Sequence, residues 1–122
     1  MIYELRLSEI VAQMTGATVE CAYATEGEGL KLGSKFLDLS VDLSSAFAQE
    51  CPPISYYRIV MREPAILRQL AAKPGTVLSV GDRLALFSTD PDEPIDQAPT
   101  RAVRFTLAGI LRHEGMWSGS QE

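Results

Sequence analysis

Apolar and polar residues alternate with a period of two over several short stretches of this chain, the pattern of half-buried strands. Ile2 to Leu7 is the first such stretch. Thr18 to Thr25 is the second, and strict alternation puts Val19, Cys21 and Tyr23 on one face. Phe36 to Val41, Tyr56 to Met61, Val77 to Val80 and Leu84 to Ser88 follow. Turns separate them at Glu26-Gly27-Glu28-Gly29, at Gly33-Ser34 and at Gly81-Asp82, where glycine supplies positive φ at little cost. Leu43 to Ser55 reads as a loop that ends on the breaker Cys51-Pro52-Pro53. Arg101 to Arg112 is open between two patterns. Val103, Phe105 and Leu107 alternate as in a strand, and Val103, Leu107, Ile110 and Leu111 also share one helical face.

The chain matches itself. Gly27 to Phe36 aligns without a gap on Gly75 to Leu84, so that Gly27 meets Gly75, Leu30 meets Leu78, Gly33 meets Gly81 and Lys35 meets Arg83. Each copy reads as a turn, a short strand, a tight turn and a second strand, with Gly27, Gly33, Gly75 and Gly81 defining the turns. Neither unit can bury a face alone; packed about a pseudo-two-fold axis they make two small sheets. The repeat also decides Ala65 to Ala72. Its composition favours a helix, but its counterpart, Glu20 to Thr25, is a strand, and a strand is therefore expected.

A length of 122 residues suits one domain, and 46% hydrophobic residues can supply its core. No uninterrupted apolar run is long enough to span a bilayer, and the first residues show no basic leader before an apolar stretch, so no membrane association and a cytoplasmic location are expected. The formal net charge is −5, with Lys and Arg scattered, which argues against a nucleic-acid partner. Two cysteines, Cys21 and Cys51, make no disulfide framework, and His113 alone gives no material for a metal site or a catalytic triad. The carboxylates show no spacing of a general acid and base, so a non-catalytic protein is expected.

In order and spacing, the residues resemble the lipoyl/biotinyl-carrier family, in particular the lipoyl domain of 2-oxo acid dehydrogenase acyltransferase components. Thr15-Gly16-Ala17-Thr18-Val19 looks like the family's Gly-Thr-Val strand, and Glu26-Gly27-Glu28 and Gly33-Ser34 look like its two acidic glycine turns. Arg62-Glu63-Pro64 and the pair Gly75 and Gly81 match its second half. The resemblance covers Met1 to about Asp90. It implies an all-β barrel-sandwich hybrid: a flattened β-barrel of two pseudo-two-fold-related halves, here with an extended hairpin loop and a C-terminal extension.

The family carries its acyl group on the lysine of an Asp-Lys pair at an exposed hairpin tip. Here Asp42 matches the aspartate and Leu43 stands in the lysine's place; the biotinyl Met-Lys-Met is absent as well. An alkyl side chain has no nucleophile, so no lipoyl or biotinyl cofactor is expected. The hairpin is longer than the family pattern, by roughly ten residues within 43–55. Its apolar residues Leu43, Phe47 and Ile54 are candidate contacts for a protein partner, and folding back onto the sandwich is the competing explanation for them. The resemblance implies a partner of the 2-oxo acid dehydrogenase or carboxylase type. The alternative is a carrier with a non-standard attachment point, Lys35 or Cys51. Residues 1–90 then form the lipoyl-like sandwich and 91–100 an acidic, proline-rich linker. Residues 101–122 form an extension that packs on the same domain, as a homodimer contact, and ends in a tail.

Overall fold

The computed structural model describes residues 1–12, 14–42 and 54–110. Their strands are β1 (Ile2–Arg6), β2 (Gly16–Ala22), β3 (Gly29–Leu30), β4 (Lys35–Asp42) and β5 (Ile54–Met61). After these come β6 (Ala65–Leu70), β7 (Val77–Ser79), β8 (Arg83–Ser88), β9 (Arg101–Ala102) and β10 (Phe105–Ile110). They form two five-stranded sheets, ordered β3-β6-β8-β1-β9 and β10-β5-β4-β2-β7. No helix occurs among the described residues, and the chain is all-β. Among the described residues the ladders stop at β3, β9, β10 and β7, and the sheets are not closed into a barrel. Ala65–Leu70 is a strand despite its helix-forming composition, because β3 and β8 bond its two edges and Leu67 is fully buried.

Register repeats at an offset of 48 residues. In β2·β4, Thr18 faces Ser40 and Val19 faces Leu39, and the ladder then slips so that Cys21 faces Asp38. In β6·β8, Ile66 faces Ser88 and Leu67 faces Phe87, with the same slip before Gln69 faces Leu86. The crossed bonds repeat too. The Gly27 N–H donates to the Leu67 carbonyl at 2.6 Å, and the Gly75 N–H donates to the Val19 carbonyl at 2.7 Å. Likewise β3 pairs with β6, and β7 pairs with β2.

The β2 slip corrects one expectation. An extra residue, Glu20, sits between two ladder positions, and such a bulge reverses the side-chain parity beyond it. Val19 stays in the core at 1% exposure, whereas Tyr23 emerges on the other side of the sheet at 38%. Alternation alone would have kept them together.

The core lies between the sheets. Leu5, Leu67 and Phe87 come from one, Leu37, Leu39, Val41 and Ile59 from the other. Phe36 and Phe87 meet edge to face at its centre, with ring centroids 5.2 Å apart. The two glycine turns of each copy leave the core free of loops. Gly27, Gly33, Gly75 and Gly81 stand at φ of 95°, 90°, 89° and 98°. In the Lys31–Ser34 turn the Ser34 N–H donates to the Lys31 carbonyl at 3.0 Å, and in the Ser79–Asp82 turn the Asp82 N–H donates to the Ser79 carbonyl at 2.9 Å. Glycine thus occupies the third turn position, where a type II turn needs positive φ.

The segment after Asp90 binds along the body. Glu93 takes the Met1 ammonium at 2.7 Å, and the Thr100 N–H donates to the Ile2 carbonyl. β9 then pairs parallel to β1, Val103 is buried, and β10 crosses to the other sheet and pairs with β5. Strand, not helix, is the outcome for 101–110, because both sheets offer open edges there. Glu63 holds this crossing in place. Both its oxygens accept from Arg101 at 2.8 Å, and one also accepts from the Arg104 N–H. The Arg101 guanidinium lies 4.0 Å over the Tyr3 ring. Its bonds are the main cause that lowers the Glu63 carboxyl to about 2; burial opposes this and the Arg104 N–H adds to it.

Two outcomes follow. Added Cβ atoms at Gly33 and Gly81 would meet empty space, so Gly33→Ala and Gly81→Ala lose about 1–2 kcal/mol each through backbone strain alone. Asn at either position recovers part of the loss, as urea denaturation will show. For Glu63 the folded pKa is depressed, so its stabilisation is complete above the unfolded value of 4.5 and is lost as pH falls toward about 2. Glu63→Gln lowers neutral-pH stability by about 1–3 kcal/mol. It also flattens the acid limb in that window, read as urea midpoints against pH.

Candidate functional site

β4 and β5 form a hairpin between the two halves. Its last ladder pair is Asp42 with Ile54, both exposed, and Ile54 keeps 42% of its surface open. Leu43, Phe47 and Cys51 lie outside the described residues. The chain has three lysines, none of them between Asp42 and Ile54. Lys35 opens β4 at the far end from Asp42, seven residues away, which at strand rise is about 23 Å. Lys31 sits in the turn before β4, and Lys73 in the turn between β6 and β7.

From the tip inward, β4 alternates between core and surface. Leu37, Leu39 and Val41 enter the core, and Asp38 and Ser40 face outward beneath covering side chains. The Ser40 hydroxyl donates to Glu20 at 2.6 Å. Asp38, 6% exposed, accepts from three donors. The Tyr23 hydroxyl reaches one oxygen at 2.6 Å, Arg58 Nη2 reaches the same oxygen at 3.1 Å, and Arg58 Nε reaches the other at 2.8 Å. A carboxylate buried this far is stable only when its lone pairs are used. The Arg58 and Lys35 cations also stand 5.6 and 5.8 Å from the Tyr23 ring centre, within cation–π range.

The hydrogen bond to Asp38 is the main cause that pushes the Tyr23 phenol up to about 12, with burial second. Arg58 is raised as well, chiefly by its bonds to Asp38. The Tyr23 phenol and the Arg58 guanidinium are thereby held in their protonated forms at neutral pH. Both shifts move these two groups further from neutrality, which suits them to orienting the Asp38 carboxylate. Among the described residues no set of three or more His, Cys, Asp or Glu side chains could hold a metal ion. A shallow groove of about 450 Å³ beside Leu30, Lys31, Pro64 and Ile66 belongs to the other sheet.

The sequence reading missed the Tyr23–Asp38–Arg58 cluster. One signal was present: Asp38 stands between Leu37 and Leu39 in a strand, so the alternation already places a carboxylate on the outer face opposite the core leucines. Its partners come from strands 15 and 20 residues away, and pairing at that range needs the register. Asp38→Asn tests the cluster. It removes the negative charge, so the Tyr23 phenol titrates closer to its ordinary value of 10, read as phenolate absorbance. The folded chain loses about 1–2 kcal/mol. An unchanged tyrosine titration would mean that Asp38 does not govern Tyr23.

No protein-family model matches this chain, and neither a curated protein nor a solved structure matches it.

Proposed function

We propose that this chain is a non-catalytic, unmodified lipoyl/biotinyl-like module that serves as a protein-interaction or accessory domain, with the β4–β5 hairpin end as its contact surface. The observation that carries the reading is the hairpin's position between two halves whose registers match residue for residue, slips included. That is where the resembling family displays its modified lysine. Here the strand ends on Asp42 and the sequence continues with Leu43. No amine stands at that position to be acylated.

The surface around the tip supports contact. Ile54 is exposed beside Asp42, and the covered polar residues Asp38 and Ser40 stiffen the strand behind them. An exposed apolar side chain at the end of a paired hairpin suits docking. The partner fitted by the resemblance is an enzyme of the 2-oxo acid dehydrogenase or carboxylase type.

Two measurements test this. The full chain is incubated with lipoate ligase or biotin ligase and ATP, beside a lipoyl domain as acceptor control, and its intact mass stays unchanged. An acyl mass on Lys31, Lys35, Lys73 or Cys51 would replace this reading with that of a carrier. Partners captured from native lysate are then compared with those of the triple variant Leu43→Ser, Phe47→Ser, Ile54→Ser. Capture is reduced at least tenfold; equal capture removes the hairpin from the interface.

A further inference from the structure

We infer that β10 is a self-pairing edge, through which two copies of this chain join their β10–β5–β4–β2–β7 sheets into one continuous sheet. A sheet edge presents unpaired N–H and C=O groups, and natural edges are blunted by shortness, charge, proline or a covering segment. Three of the four edges here are blunted by shortness. β3 and β9 have two residues each and β7 has three. β10 has six residues, Phe105-Thr106-Leu107-Ala108-Gly109-Ile110, with no charge and no proline. One side of it is bonded to β5 throughout, and among the described residues nothing pairs with the other.

The side chains choose the occupant. Phe105 and Leu107 pack on the core, while Thr106, whose hydroxyl accepts from Arg62 Nε at 3.1 Å, and Ala108, opposite Arg58 on β5, are exposed on the outer face. A second copy related by a two-fold axis perpendicular to the sheet keeps inner positions beside inner positions. With the axis at Leu107, Leu107 faces its own counterpart and Phe105 faces Gly109 of the second copy, a large side chain beside a vacant one. On the outer face Thr106 then lies opposite Ala108, twice over. An isologous pairing of this kind is closed and does not propagate. The strand meets itself without placing like charges in opposition, although each chain carries a net charge of −5. This inference does not rest on the carrier-like reading and uses no hairpin residue.

The test is sedimentation velocity on the full chain over a wide concentration series, with two variants at the exposed positions. Thr106→Glu with Ala108→Glu places like charges opposite each other in both outer pairs, and the dimer weakens about tenfold or more. Thr106→Lys with Ala108→Glu places opposite charges there and sets a carboxylate, not a second cation, across from Arg58 on β5, and the dimer stays as tight as the unaltered chain or tighter. Far-UV circular dichroism and thermal unfolding of the monomeric fractions establish that both variants fold. A chain that is monomeric at every concentration overturns the inference. So does a dimer that responds equally to the two variants.

Discussion

Each half of this molecule lends a strand to the sheet built on the other half, and the rest of the structure depends on that exchange. β3 leaves the first half to pair with β6, and β7 leaves the second half to pair with β2. The crossed bonds from Gly27 to Leu67 and from Gly75 to Val19 fasten both exchanges. A half folded alone would leave these backbone groups unpaired and one face of its strands wet. Stability is therefore a property of the pair. The turns at Gly33 and Gly81 matter because they let the chain pass between sheets within four residues, leaving the space between the sheets to Phe36, Phe87 and the leucines around them.

The outer face of the second sheet follows from the same ladder. The bulge at Glu20 turns Tyr23 outward, and the register of β4 on β5 sets Asp38 beside Arg58. Tyr23, just past β2, and Arg58 on β5 then close over the Asp38 carboxylate on β4. The polar cluster is a consequence of register and holds the register in return, since a slip by one residue would send Asp38 inward. This mutual dependence ties the register of the β4–β5 hairpin to the cluster on its outer face.

Much of this was legible in the sequence where the signal is local. Alternation located the strands, because a sheet with one wet face needs a period of two. The strand Ala65–Leu70 was legible only by comparison with Glu20 to Thr25, since its own residues favour a helix. The bulge was not legible: an extra residue in a ladder leaves no mark in the alternation until the partner strand is known, and Tyr23 was consequently assigned to the wrong face. The Glu63–Arg101 pair spans 38 residues and joins segments that nothing in their composition connects. Of the hairpin residues, the ladder sets Asp42 opposite Ile54 at the tip, while Leu43 and Phe47 fall outside the described residues.

The position of β1 bears on how the chain reaches this state. Tyr3 lies opposite Phe87 in one neighbouring strand and opposite Arg101 in the other. Both neighbours stand far along the chain from β1, so it has no partner strand until they are made. Closing loops of that span is slow, in the range of milliseconds to seconds for domains dominated by distant pairings. Until those strands arrive, Ile2, Tyr3 and Leu5 lack the cover that buries them in the folded chain, and apolar surface left open in this way favours association between folding chains.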